Sequence, residues 1–463
     1  MDSDLTHNDD DTLIKRRPWY FLAALLLIFS ILAHQAIAFL AALFALVIGV
    51  VPEIWYRYAL RSLVFRQQLS QPRAFFGETL TLSISVENQK ILPLPWLEVE
   101  DEIPEHLTLL TGRASHMYKV NRMLLAHTFS LWAFQRVTRR YRVGCTRRGV
   151  HSFGPVTLRS GDPFGWLIRE DQIHARTTLL VYPLVAPLEK FGLPSRHPFG
   201  DYATPRRLIE DPLRVAGVRE YVRGDDPRRI HWKATARLGE LQSKVYEPSS
   251  QYRLLILLDI NSYQDAWMGL DRDIQELTIS AAASLALWGL DEGYSVGLLA
   301  NSLLAGLGTE QSAEGDEIKI AQGSTIAALT FMHRTRIPMA SDSAQRERIL
   351  SALGRLLAYF GSPIDGLIEL EQATLPIGTT VVLVSAGAAL NEATIERLIE
   401  LRRHGCAVHL ALTGDPSSKI GTETYDLPVY HLGGREVWHE LVKHAGDAES
   451  ADDARNAPLL IMG

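Results

Sequence analysis

The chain is poor in cysteine. Only Cys145 and Cys406 occur in 463 residues. Two thiols are too few for a disulfide framework or a zinc ligand set, and they fit a reducing compartment. Catalytic signatures are also missing. There is no Walker A loop, no Gly-x-Ser-x-Gly elbow and no His-Glu-x-x-His pair, the histidines are scattered, and neither cysteine lies in a nucleophile motif. No internal repeat of fixed period is present. The formal net charge of −6 gives no global reason to expect a nucleic-acid partner. The sharpest absence is local: from Pro18 to Val51 there is no Asp, Glu, Lys or Arg.

What fills that stretch is apolar. One membrane span takes about 20 apolar residues, and this run exceeds that, with His34-Gln35 near its middle. Two short helices, about Trp19 to Ala33 and about Ala36 to Tyr56, joined by a tight turn would satisfy every backbone group inside lipid. Trp19, Tyr20, Trp55, Tyr56 and Tyr58 then serve as interfacial anchors. Lys15, Arg16 and Arg17 precede the run; Arg57, Arg61, Arg66 and Arg73 follow it. Basic flanks on both sides place both ends in the cytoplasm. A single long tilted helix and a cleaved signal peptide are the alternatives, and both would put the remainder outside. The lipid bilayer is thus the first expected partner, and a multi-pass protein of the cell membrane with cytoplasmic soluble domains is the expected topology.

Six segments follow from patterning. Residues 1–17 form an acidic tail, without apolar content for a core. Residues 18–56 are the hairpin. From 65 to 183 the pattern is β-like: Thr79 to Val86 alternates polar and apolar with period two, and further strands are expected near 97–100, 125–134 and 139–143. Short strands at this spacing predict a small antiparallel β-sandwich. Residues 184–250 hold a proline-rich linker and a dense charged motif. From 251 to 445, apolar runs at 254–258, 295–299, 380–384 and 407–412 alternate with helical stretches at 271–290, 344–360 and 392–404. That alternation predicts an α/β domain with a doubly wound, mainly parallel sheet. Residues 446–463 read as a flexible end.

The dense motif runs from Gly217 to Gly239 and reads as strand, turn, helix. Gly224-Asp225 makes the turn, Asp226 caps the helix, Pro227 suits its first position and Gly239 falls just past its end. Arg219, Glu220, Tyr221, Gly224, Asp225, Asp226, Pro227, Arg228, Arg229, His231, Trp232 and Lys233 are the candidate docking residues. Their other reading is a buried salt-bridge network that clamps two domains together; catalysis is the weakest of the three.

This motif resembles the signature of a bacterial membrane-protein family catalogued as domain of unknown function 58. Arg147-Arg148-Gly149-Val150, Phe153-Gly154-Pro155 and Gly161-Asp162-Pro163-Phe164-Gly165 resemble its second motif, and the order of segments matches its layout. The resemblance implies an inner-membrane protein whose C-terminal domain is von Willebrand factor A-like. It also implies a MoxR-type AAA+ ATPase as protein partner. Such domains often bind Mg²⁺ through Asp-x-Ser-x-Ser plus a Thr and an Asp from other loops. Here the matching residues are Asp259-Ile260-Asn261-Ser262-Tyr263, and the strand ending in Ser385-Ala386-Gly387-Ala388 lacks the later Asp. Mg²⁺ needs several converging oxygens, so Asp259 and Asn261 are the only ligands this degenerate pattern offers. The expected function is a membrane-anchored scaffold or adaptor without enzymatic activity. The alternatives are a metal-dependent ligand-binding or hydrolytic domain using the charged motif, and a purely structural protein of the cell envelope.

Overall fold

The computed structural model describes residues 24–25, 27–29, 32, 36–174, 177–194, 198, 210–222, 225–248, 252–306, 334–359, 361–414 and 427–456. The chain divides into two units. The first contains residues 1–74, 78–146 and 151–179; the second contains 75–77, 147–150 and 180–463.

The first unit begins with the helix Ala36–Tyr58, at the place of the second expected span. Among the described residues it is the one helix long and apolar enough to cross a membrane, over Phe39–Tyr58 with mean hydropathy 2.0. Most of the first expected span, 19–33, lies outside the described residues, and its described positions are helical. Beyond the helix come two antiparallel sheets. One orders Leu63–Leu69, Thr79–Asn88, Arg136–Gly144 and Thr108–Leu109. The other orders Ile168–Ile173, Val156–Gly161, Leu94–Pro104, Arg122–Leu131 and Ser115–His116. Every second residue of Thr79–Asn88 is buried, as a strand with one covered face requires. Val86 from one sheet shares a core with Leu97, Val99, Phe129, Val156 and Leu158 from the other. Each such side chain contributes roughly 1.5–3 kcal/mol on full burial.

The second unit holds a six-stranded mixed sheet in the order Thr335–Ala340, Ser295–Ala300, Arg253–Leu258, Thr380–Ala386, Ala407–Thr413, Val429–His431. Only the pairing of Thr335–Ala340 with Ser295–Ala300 is antiparallel; the other four are parallel. The edge strand Thr335–Ala340 falls in a region that the sequence pattern leaves irregular. The apolar run at 254–258 is covered on both faces. Leu254, Ile256 and Leu258 pack with residues of the helices Arg272–Asp291 and Gln345–Arg355. Leu255 and Leu257 pack with residues of Ile364–Gln372 and Glu392–Arg403. The sheet is therefore flanked by helices on both sides, as the alternating pattern predicts.

Two expected boundaries shift. The first part of the stretch after Pro183, residues 184–194, is not a spacer: Leu184, Leu188, Phe191 and Leu193 are buried in the core beside helix Arg272–Asp291, and residues 199–209 lie outside the described residues. Its prolines end regular structure without removing the apolar side chains that need cover. The helix Arg435–Asn456 runs past the expected boundary at 446; residues 457–463 lie outside the described residues.

Candidate functional site

The charged motif lies on a two-stranded antiparallel ladder of Glu210–Glu220 and Gln242–Pro248. Its turn is fixed by one carboxylate. Asp225 pairs with Arg219 at 2.6 Å and accepts a bond from the Val222 N–H at 3.1 Å. Arg219 first, then that N–H, hold the Asp225 carboxyl below its ordinary pKa. The Tyr221 hydroxyl donates to the Asp225 carbonyl at 3.0 Å. Gly224, assigned to the same turn, lies outside the described residues, as does Arg223.

The expected single helix divides in two. Asp226 caps a 3₁₀ turn over Pro227–Arg229 by accepting from the Arg228 N–H at 3.0 Å. Ile230 returns to an extended conformation and bridges Ser243. A second cap then starts the α-helix Trp232–Leu238: His231 Nδ1 accepts from the Ala234 N–H at 3.0 Å. That bond fixes the ring orientation and commits Nδ1 as an acceptor. Gly239 closes the helix in the left-handed region at φ +78°.

None of the described residues from Gly217 to Gly239 is buried. Glu220, Asp226, Pro227, Arg228, Trp232 and Lys233 are exposed; Tyr221, Asp225, Arg229 and His231 are intermediate. Trp232 is 69% exposed and Leu238 65%. The result is an exposed surface on which Trp232 and Leu238 stand among basic and acidic side chains.

The second candidate lies at the carboxyl ends of the parallel strands. Asp259 follows the strand Arg253–Leu258, where the strand order reverses direction. Open α/β sheets usually form their ligand crevice there. In this chain the crevice is closed by the protein's own groups. Asp259 Oδ1 accepts from the Asn261 N–H at 3.0 Å and the Asn301 amide at 2.7 Å, and Oδ2 accepts from the Ser385 hydroxyl at 3.2 Å. Asn261 Oδ1 accepts from the Gly361 N–H at 2.7 Å. The Asn301 amide also donates to the Ser362 carbonyl at 2.7 Å. Asp259 is 3% exposed and Asn261 7%. Burial raises the Asp259 pKa to about 6 against these hydrogen bonds, and Asp365 nearby adds to the rise.

This donor set does not fit Mg²⁺. The side-chain oxygens of Asp259 and Asn261 are already committed to protein donors. No group of three or more His, Cys, Asp or Glu suited to a metal occurs among the described residues. Asp259 to Ser262 are buried, whereas residues 264–269 of the same loop are exposed, Trp267 by 82%. Sequence reasoning missed Asn301, Ser385 and the 361–362 loop, because polar residues 40 to 130 positions away carry no local mark of convergence. A closing loop this tight should not tolerate a methyl group. A Cβ on Gly361 would stand 2.1 Å from the Asn301 carbonyl oxygen. Gly361→Ala is expected to destabilise the second unit by about 1–3 kcal/mol, read as a lower thermal midpoint.

Proximal thread matrix protein 1 from the mussel byssus aligns with 42% of this chain and 47% of its own at 11% identity, TM-score 0.27. The CARDB domain of the PF1109 protein from Pyrococcus furiosus aligns with 26% of this chain and 91% of its own at 11% identity, TM-score 0.18. Scores this low carry no argument. The uncharacterized protein YeaD of Bacillus subtilis (strain 168) is 26% identical over 265 residues, covering 56% of this chain and 61% of its own length. Residues 217–306, from the start of the charged motif to the strand-end loops, match the family described as Protein of unknown function DUF58.

Proposed function

We propose that this protein is a membrane-anchored scaffold or adaptor without enzymatic activity, held in the cell membrane with its soluble units in the cytoplasm. Its charged motif is the docking element. The exposure of Trp232 with Arg228, Lys233 and Arg237, on the turn and helix between two hydrogen-bonded strands, carries this reading. Tryptophan and arginine on a rigid support are the residue types that dominate binding energy at protein interfaces. The apolar helix Ala36–Tyr58 and its basic flank support the anchor. A sheet with one antiparallel edge strand and helices on both faces supports the reading of the second unit as von Willebrand factor A-like. The MoxR-type AAA+ ATPase is the partner that the family resemblance implies. The metal-dependent alternative gains no support from a strand-end site already occupied by protein hydrogen bonds.

The test is co-purification of the full chain in detergent with the ATPase, in ATP- and ADP-bound states. Trp232→Ala is expected to weaken capture about 10-fold or more while the thermal midpoint stays unchanged. Absence of capture by the unaltered chain in both nucleotide states would overturn the adaptor reading.

A further inference from the structure

At one end of the first unit, four connections gather around the exit of the apolar helix. The helix passes through residues 59–62 into the strand Leu63–Leu69, whose Leu63 pairs with Asn88. The 89–93 connection leaves from Asn88, and Leu94 beyond it pairs with Leu131. The 132–135 connection therefore starts at the same end and returns at Arg136, opposite Glu87. Ser160 pairs with Leu97, which places the 162–167 connection there too.

Hydrogen bonds tie this end to the helix. The Trp55 indole N–H donates to the Pro93 carbonyl at 2.9 Å. The Lys90 ammonium donates to the carbonyls of Ala59 and Arg61 at 2.7 and 2.8 Å. Ala59, one residue past the helix, is fully buried in the unit's core. Residues 59–62 span at most roughly 14 Å, so no flexible spacer separates the helix from these connections.

The same connections carry Ile91, Trp132, Phe134, Phe164 and Trp166, exposed by 78, 73, 68, 52 and 55%. One exposed apolar side chain is ordinary; five around a helix exit form a patch that needs cover. Two turns hold the aromatic residues outward. Asp162, fully buried, accepts from the Phe164 N–H at 2.9 Å and the Leu167 N–H at 2.5 Å. The Phe164 and Trp166 rings stack at 4.9 Å across Gly165, which takes φ +73°. A Cβ on Gly161 would meet the Leu167 carbonyl oxygen at 1.9 Å. The motif Gly161-Asp162-Pro163-Phe164-Gly165 thus builds a tight turn that presents two rings. In the neighbouring turn Phe134 itself takes φ +56°, a conformation bulky residues rarely hold. Arg57 and Arg61 stand exposed at the helix exit, Arg57 at 3.4 Å from Glu53.

We propose that this end of the first unit is seated in the headgroup layer of the bilayer that the helix enters, with Trp132, Phe134, Phe164 and Trp166 among the lipid headgroups. Aromatic rings with basic side chains are the composition of that layer, and anionic phospholipid is the lipid that the arginines favour. The inference rests on the membrane reading of helix Ala36–Tyr58. It gives the family's second motif a role: the turn at 162–167 fixes the unit's attitude on the membrane.

Nitroxide labels on the full chain test it, in vesicles of equal parts phosphatidylethanolamine and phosphatidylglycerol. The labelled variants are Trp132→Cys, Trp166→Cys, Leu43→Cys within the helix, and Tyr118→Cys at the opposite end of the unit. Native Cys145 and Cys406 are buried. The ratio of oxygen to nickel-chelate accessibility should be several-fold higher at 132 and 166 than at 118. An aqueous ratio at 132 and 166 with a lipid ratio at 43 would overturn the seating and leave the anchor standing. An aqueous ratio at 43 would overturn both.

Discussion

Arg148→Ala should cost the second unit about 3–5 kcal/mol, the loss expected when one partner leaves a buried ion pair. The Arg148 side chain is 2% exposed and makes a two-pronged pair with Glu276: Nε to Oε2 and Nη2 to Oε1, both at 2.9 Å. Its Nη1 donates to the carbonyls of Leu353 and Leu356, each at 2.9 Å. Those carbonyls lie at the C-terminal end of helix Gln345–Arg355, where the last turn has no partners of its own. One guanidinium therefore neutralises a carboxylate on helix Arg272–Asp291 and caps a second helix. Alanine would leave Glu276 without its cation and two carbonyls without donors. Arg148→Lys should recover little, because a single ammonium lacks the planar fork that reaches both groups. Calorimetry of the full chain measures the effect. A loss below 1 kcal/mol would mean that water replaces the guanidinium and that the second motif's arginine serves some other purpose.

Asp259→Asn should act in the opposite direction and stabilise the protein at neutral pH. The folded state holds the Asp259 proton up to a pKa of about 6, against an ordinary value of 3.8. A raised carboxyl pKa means that the folded state binds the proton more tightly than the unfolded chain. Its stabilising contribution is complete below the ordinary value and is lost as pH rises through about 6. At roughly 1.4 kcal/mol per pH unit, the ionised carboxylate costs about 2–3 kcal/mol at neutral pH relative to a neutral side chain. Asparagine also fits the hydrogen bonds. Its oxygen takes the Asn261 and Asn301 donors, and its amide can donate to Ser385 Oγ, whose own hydrogen can turn to the Ala386 carbonyl at 3.2 Å. The difference in thermal midpoint between variant and wild type should open between about pH 4 and 6 and stay constant above. A destabilised variant at neutral pH would refute this account. Mg²⁺ that stabilised the wild type alone would restore the metal reading.

Much of the architecture could be read from patterning, because burial leaves a periodic trace. The period-two run at 79–86, the continuous apolar run at 254–258 and the amphipathic stretches at 271–290 and 392–404 each return as the expected element. Capping chemistry is equally local, so Gly239 closes the helix as its position suggests, whereas Asp226 and Pro227 start only a 3₁₀ turn and His231 caps the α-helix. Arg148 carried no such trace. Its motif was visible, but a single arginine does not announce a glutamate more than a hundred residues later.

By itself, the sequence determined the elements, the apolar helix and the chemical character of the charged motif, since these follow from side chains a few positions apart. The tertiary structure decided what those residues face. It left the motif exposed, closed the strand-end crevice with Asn301, Ser385 and the 361–362 loop, and drew Leu184, Leu188, Phe191 and Leu193 into the core. It also collected the aromatic residues of distant turns around the helix exit. Each outcome depends on which strand ends become neighbours. Strand register fixes that by long-range pairing, whereas periodicity within a segment reports only that a face is covered.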